Sequence, residues 1–331
     1  MLISHFVFGP SYAHRLMPIL KMNHTSHFVF VFTIFVTSLF STVMRADDLE
    51  TGGWTKLIDA ELSQWEVFIG VPHTSVDVKW RSKSDSGIKG TPMGLNNDPL
   101  EVFSVKKIDG EDVLAITGEI YGGLTTLKEY ENYHLSLQFK WGDKKWAPRL
   151  EDKRDSGLLV HCTGRHGAFW NVWMRSLECQ IQEGDCGDFI ALAGSGSKVR
   201  VRSPRRGRPI FDPTKPLSEG KRYVTHGPSD EKPHGQWNTV EVYTLGQTTV
   251  FAVNGTPNMV LEQTQEKQGE QWKPLTKGKL QIQSEAAEIY YRDIKIRPIK
   301  SFPESIQSTI QPMERKVESD DSEKGNDRSK K

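Results

Sequence analysis

The chain is short of the features that would announce a metal, a redox centre or a nucleic acid. It has three cysteines in 331 residues, Cys162, Cys179 and Cys186, too few for a disulfide scaffold and without the spacing of a zinc knuckle or a redox CxxC pair. One pair could bridge in an exported protein, leaving an odd thiol. Cys179 falls on the apolar phase of its segment, so packing is its expected role. Charge of either sign is also missing in the balance: 43 Lys plus Arg stand against 42 Asp plus Glu, a formal net charge of +1. That removes the global field with which a protein draws nucleic acid or an acidic membrane surface, so neither is an expected partner. The largest basic run, residues 198–208 (KVRVRSPRRGR), reads as a solvated loop, with steering of an anionic polysaccharide or binding of phosphate as the sharper alternative. Helical periodicity is almost absent, and no internal repeat is present.

Only one long apolar run exists. Residues 28–40 (FVFVFTIFVTSLF) are too short to span a bilayer comfortably and are followed by Arg45-Ala46-Asp47-Asp48. This is the pattern of a signal-peptide core with cleavage after Ala46, although Met44 is bulky for its position. A start at Met17 or Met22 would bring that core nearer the N-terminus, and a retained membrane anchor is the alternative. Residues 1–46 are therefore expected to be a signal peptide or N-terminal extension. The protein itself is expected to be exported, periplasmic or extracellular, with no stable transmembrane domain. Residues 301–331 are rich in Ser, Glu, Asp and Lys and are expected to form a disordered tail.

Between these ends the chain alternates short apolar-patterned segments with turns. Strands are expected at 54–58, 65–68, 100–106, 113–117, 133–140, 157–162, 176–182, 190–193, 198–202, 239–243, 248–253, 279–284 and 289–297. The clearest alternation places Tyr133, Leu135, Leu137 and Phe139 on one face and His134, Ser136, Gln138 and Lys140 on the other, the signature of an antiparallel sheet buried on one side. Residues 70–98 and 194–233 are long irregular connections, and 141–153 is a polar loop. The result is one all-β sandwich over residues 50–300.

Residues 154–189 carry the chemistry. Leu177, Cys179 and Ile181 alternate with Glu178, Gln180 and Gln182, while His161, Arg165, His166 and Trp170 lie on the preceding strand and loop. A Glu-Gln-Gln row beside these groups suits a ligand-binding face, with a plain solvated sheet surface as the bland alternative.

Several ordered motifs resemble the family of 3-keto-disaccharide hydrolase domains, once known as domain of unknown function 1080. Gly53-Trp54-Thr55-Lys56-Leu57-Ile58-Asp59 with Trp65, and Leu124-Thr125-Thr126 followed by Tyr130 and Asn132-Tyr133-His134-Leu135, match its opening. Asp155-Ser156-Gly157 and Leu177-Glu178-Cys179-Gln180-Ile181 match its centre. Gly235-Gln236-Trp237-Asn238, Leu280-Gln281-Ile282-Gln283 with Glu285, and Tyr291-Arg292-Asp293-Ile294 match its close. Asp155 and His161 stand where Asn and Arg are commoner in the family. The resemblance implies a concanavalin A-like jelly-roll β-sandwich. It also implies cleavage of glycosidic bonds in 3-keto-glycosides by proton abstraction at carbon 2, elimination and hydration, with a carbohydrate or glycoside as the partner. A non-catalytic carbohydrate-binding module is the alternative, since fold alone does not decide function.

Such a reaction needs a base, a cation or donors at the ketone oxygen and an acid for the leaving group. Glu178 is the expected base, with hydrogen bonding to sugar hydroxyls as its other reading. His161 is the candidate acid or ketone-side donor, or else a structural histidine. Arg165 and His166 are candidates for stabilising the enolate. Gln180 and Gln283 are expected to bind hydroxyls. Trp170, Trp173 and Tyr130 are candidate sugar platforms, whereas Trp237 is expected in the core. A divalent ion held by Glu178, His161 and a further acid is an option without a compact ligand spacing to support it. A catalyst should bring Glu178 and at least one of His161, Arg165 or His166 around one pocket.

Overall fold

Tyr133, Leu135, Leu137 and Phe139 all enter one buried core, and so do Leu177, Cys179 and Ile181. Two-residue periodicity puts successive side chains on opposite faces of a strand, so these sets fix which face of each sheet points inward. The computed structural model describes residues 53–218 and 222–310. The apolar run at 28–40, the expected cleavage site and residues 311–331 of the expected tail lie outside the described residues.

In chain order the strands are β1 (Thr55–Lys56), β2 (Trp65–Ile69), β3 (Gly94–Leu95), β4 (Phe103–Ile108), β5 (Glu111–Ile116), β6 (Gly122–Thr126) and β7 (Tyr130–Glu131). The middle of the chain gives β8 (Tyr133–Lys145), β9 (Asp155–Thr163), β10 (Arg175–Gln182), β11 (Phe189–Leu192), β12 (Ser195–Arg202), β13 (Ile210–Phe211), β14 (Leu217–Ser218) and β15 (Tyr223–Val224). The last third gives β16 (Asn238–Leu245), β17 (Thr248–Val253), β18 (Thr256–Gln268), β19 (Gln271–Pro274), β20 (Lys277–Ser284) and β21 (Ala287–Pro298).

These strands form a jelly-roll sandwich of the concanavalin A-like kind. A 12-stranded sheet follows the order β13-β12-β18-β17-β16-β8-β21-β5-β4, with β1, β14 and β19 attached at its sides. A 9-stranded sheet follows the order β15-β11-β10-β9-β20-β6-β2-β3, with β7 paired to β20. The core lies between them, where Leu158 and Val160 of β9 and Leu280 and Ile282 of β20 meet Leu137 and Phe139 of β8 and Ile289 and Tyr291 of β21. A second apolar cluster lies on the other side of the smaller sheet. There Leu159, Cys162 and Leu192 pack with Tyr121, Val172, Trp173 and Met174.

Several elements differ from the sequence expectation. β18 and β19 occupy residues with no alternating aliphatics, LEQTQEKQ for much of β18. Backbone pairing to β17 and β12 holds β18 instead. β8 runs on to Lys145 because β21 continues beside it, pairing Ala287 with Lys145. Glu304–Ile310 is a helix rather than tail, since Ile306 and Ile310 are buried in the main core. The 70–98 connection is irregular as expected; its Ile88 packs on the second cluster and accepts a hydrogen bond from Asn171. All three cysteines are buried and free, so no pair bridges. Trp237 is half-buried on the outer side of the larger sheet rather than in the core, with Arg292 and Lys140 over its ring at 4.2 and 4.9 Å.

Candidate active site

The outer face of the smaller sheet is a grid fixed by strand register. Gln182 of β10 stands opposite Asp155 of β9, which bridges to Glu285 just beyond β20. One step along, Gln180 stands opposite Gly157, and the next step sets Glu178 opposite Leu159. Alternation that sends Leu177, Cys179 and Ile181 into the core sends Glu178, Gln180 and Gln182 to this face. Gly157 leaves a gap in the grid. A Cβ there would collide with the carboxylate of Glu178 and the amide of Gln283, so the missing side chain is what lets both lie across β9.

Above the grid is a cavity of about 490 Å³ lined by Glu178, Gln180, Gln182, Asp155, Glu285 and Arg149 on its polar side. Phe169, Trp170, Trp173, Ile190, Leu192, Arg208, Arg222 and Tyr223 complete its walls. Chain reversal at 169–173 is closed by the Phe169 and Trp173 backbone pair, which stacks Phe169 on Trp170 at 4.9 Å between ring centroids. Trp173 is anchored beneath by donating its indole N–H to the carbonyl of Gly122 at 2.9 Å. Trp170 remains 45% exposed at the rim.

Two carboxylates share one guanidinium on the cavity floor, and a third stands apart from it. Arg149 donates to Asp155 at 2.6 Å and to Glu285 at 2.8 Å, while Gln182 donates to the same oxygen of Asp155. Burial raises Asp155 from its ordinary 3.8 to about 7, opposed by the Arg149 charge. Burial, then the negative charge of Asp155, holds Glu285 well above the carboxylate range. Glu178 is only 3% exposed and has no cation of its own. Burial first, and the charge of Asp155 second, push it from 4.5 to about 8. The amide of Gln283 lies beside it and eases that rise, with neither its nitrogen nor its oxygen in a hydrogen bond of good geometry.

The expected site residues divide. Glu178, Gln180 and Trp170 line the cavity, whereas Gln283 lies beside Glu178 over Gly157 and is not part of the lining. His161 does not reach it. Plain alternation would place His161 on the cavity side with Asp155, Gly157 and Leu159. However, β9 bulges here: Val160 pairs with Leu177 and Thr163 with Arg175, and His161 takes a positive φ of 52°. The bulge swings the imidazole into the core, edge-on to Tyr133 at 6.1 Å. Both ring nitrogens are buried without a partner, and burial lowers its pKa to about 4, so it is neutral at physiological pH.

Arg165 is exposed and donates to the carbonyls of His166 and Gly167 in its own loop. His166 stacks on Phe68 at 5.2 Å and pairs with Glu66, which also holds Lys279 at 2.6 Å. Tyr130 is half-buried against Tyr133. None of these three lines the cavity, so the cluster expected around Glu178 is replaced by Arg149, Asp155 and Glu285. A divalent ion on Glu178, His161 and an acid does not fit this arrangement. The imidazole points away, Asp155 and Glu285 are engaged by Arg149, and no metal-holding cluster of three His, Cys, Asp or Glu side chains occurs among the described residues. Among those residues, also, no helix is long and apolar enough to cross a membrane.

Sequence reasoning missed Arg149 because it lies in a polar loop without periodicity. The signal available was indirect: two acids, Asp155 and Glu285, in strand-like text would require a cation if buried together.

No curated protein matches the chain. Among solved structures, two proteins of Parabacteroides distasonis described as candidate glycosyl hydrolases are similar at 20% and 17% identity. They cover 75% and 78% of this chain and 100% and 98% of their own, with TM-scores of 0.41 and 0.42. A carbohydrate-binding module, CBM66 of Bacillus subtilis, is similar at 5% identity, covering 59% of this chain and 91% of its own at a TM-score of 0.36. The model of the 3-keto-alpha-glucoside-1,2-lyase-like domain matches residues 53–297, from the strand before Trp65 to the end of the last strand. With that match spanning both sheets and every carboxylate of the cavity, the chain belongs to the 3-keto-alpha-glucoside-1,2-lyase-like family.

Proposed function

We propose that this protein cleaves the glycosidic bond of sugars oxidised at carbon 3, with Glu178 as the base. The observation that supports the reading best is a single unpaired carboxylate in a sugar-sized hollow, buried enough to hold its proton up to about 8. In the first step the ionised Glu178 takes the proton from carbon 2, which the neighbouring ketone makes acidic. The electron pair left behind passes through the enolate and expels the leaving oxygen from carbon 1. The proton that Glu178 has taken is then available to that departing oxygen. Water then adds to carbon 1 of the enone, and carbon 2 regains a proton, giving the free 3-keto sugar. Arg149 is the cation of the floor and supplies positive charge near the developing enolate. Gln180 and Gln182 offer amides to hydroxyls, and Trp170 offers a rim platform.

Non-catalytic carbohydrate binding is the second reading, favoured by the exposed Trp170 stacked on Phe169. A binding face has no need of three buried acids with a single arginine that pairs only two of them, an arrangement that costs desolvation energy. The apolar run at 28–40 supports an exported enzyme, periplasmic or extracellular. Incubation with 3-keto-glucosides and ordinary glucosides, following aglycone release, separates the readings. The enzyme releases aglycone from the 3-keto substrate alone, and the Glu178→Gln variant does not. Binding of both sugars without release contradicts the proposal.

A further inference from the structure

Two arginines at the mouth of the carboxylate cavity have no acidic partner among the described residues. Arg208 and Arg222 both line it and both are exposed. Neighbouring arginines are answered within the fold: Arg149 by Asp155 and Glu285, Arg154 by Glu183, Arg175 by Glu266, Arg200 by Glu262. Arg208 and Arg222 instead lie on aromatic rings, Arg208 at 3.5 Å from the centroid of Tyr223 and Arg222 at 5.0 Å from that of Phe169. Stacking of this kind uses the flat face of the guanidinium and leaves its edge N–H donors free. Tyr223 is held in turn by the pairing of β15 with β11, Ile190 opposite Tyr223. The two guanidiniums are thus steadied, without an acidic partner among the described residues, and line one and the same cavity.

Arg222 and Phe169 also wall a second hollow of about 480 Å³, lined further by Gly196, Gln265 and the 49% exposed Trp272. Arg222 and Phe169 are common to the linings of both hollows, and Arg208 belongs to the carboxylate cavity. Two like charges lining one cavity repel, and a bound anion relieves that repulsion while accepting from the free N–H edges.

We infer that the carbohydrate taken by this site carries an anionic group, a carboxylate, sulfate or phosphate, held by Arg208 and Arg222 at the exposed wall of the carboxylate cavity. This rests on the reading that the cavity takes a carbohydrate, and it adds the substrate's charge. Calorimetric titration compares cellobiose with cellobionate, and glucose with its 6-sulfate and 6-phosphate, on the wild-type protein and the Arg208→Gln/Arg222→Gln variant at low and high salt. At low salt the acidic sugars bind roughly tenfold or more tightly than the neutral ones. The preference shrinks with salt and disappears in the double variant, whose thermal melt stays that of wild type because both side chains are exposed. Whichever acidic sugar binds best identifies the anion. Equal affinities for acidic and neutral sugars, a preference that survives the double substitution, or no binding of any of them overturns the inference. Release of aglycone from a neutral 3-keto-glucoside by the wild-type protein is measured separately, so failure here leaves the catalytic reading standing, and the reverse holds too.

Discussion

The two faces of strands β9 and β10 are built from one continuous pair of segments yet end in different chemistry. Towards the larger sheet lie Ser156, Leu158, Val160, Leu177, Cys179 and Ile181; towards the cavity lie Asp155, Gly157, Leu159, Glu178, Gln180 and Gln182. Both faces are buried, so burial does not tell core from site. The difference is in how polar groups are answered. Among those six inner residues the one polar side chain, Ser156, hydrogen-bonds the hydroxyl of Tyr291 and the carbonyl of Gln283. On the outer face Asp155 and Glu285 share Arg149, and Glu178 has no cation. Two titratable side chains make the contrast sharpest. Burial drives Glu178 up to about 8 and His161 down to about 4, yet only Glu178 faces a hollow.

The comparison breaks first at Glu178. In Glu178→Gln the rate falls by roughly 10²–10⁴-fold. Wild-type kcat/KM for 3-keto-glucoside cleavage rises with pH through a limb near 8, because the base must be ionised, and the residual rate of the variant lacks that limb. A profile with a limb unchanged by the substitution assigns the base elsewhere. Next in size is Gly157→Ala, which forces Glu178 and Gln283 aside. Displacing a reacting group by about 1 Å costs on the order of 100-fold in kcat, and the variant should otherwise melt as a folded protein.

Stability tests the outer face as a whole. Replacing Arg149 by Met leaves Asp155 and Glu285 buried without a cation and destabilises by about 3–5 kcal/mol above neutral pH, measured by urea unfolding. The loss is smaller in acid, where both carboxyls carry protons. In the wild-type protein itself, Asp155 and Glu178 hold protons to about 7 and about 8, above their ordinary 3.8 and 4.5. The native state therefore binds more protons than the unfolded chain between those values. The stability linked to these groups is fully present below about pH 4, declines as pH rises, and levels off above about 8. Glu178→Gln flattens the upper part of that decline. The smallest effect belongs to the inner face: His161→Asn, which tolerates the positive φ, keeps the turnover of wild type. A loss of about 100-fold or more would give the imidazole a role its position denies.

Much of the sandwich was legible in the sequence because alternation reports the buried face of a strand directly, as Tyr133 to Phe139 and Leu177 to Ile181 show. Where pairing rather than patterning holds the chain, the signal vanished: the polar text of β18 gave no hint of a 13-residue strand. The site was half legible. Glu178, Gln180 and Trp170 could be found from strand phase and a loop aromatic. His161 was misplaced because a one-residue bulge inverts the side a residue faces, and nothing in GLLVHCT marks it. Arg149 could not be found because the sequence does not state which acids lie side by side across three strands. The cluster of Asp155, Glu285 and Arg149 exists only through register.

The account rests on Glu178 taking the proton from carbon 2. Running the reaction in deuterium oxide and examining the released 3-keto sugar by NMR at early times tests this step without reference to overall rate. Wild-type protein should place deuterium at carbon 2 of the product, and Glu178→Gln should release no labelled sugar. Aglycone release by the wild-type protein that leaves the original hydrogen on carbon 2, or labelling by Glu178→Gln at the wild-type rate, would contradict it.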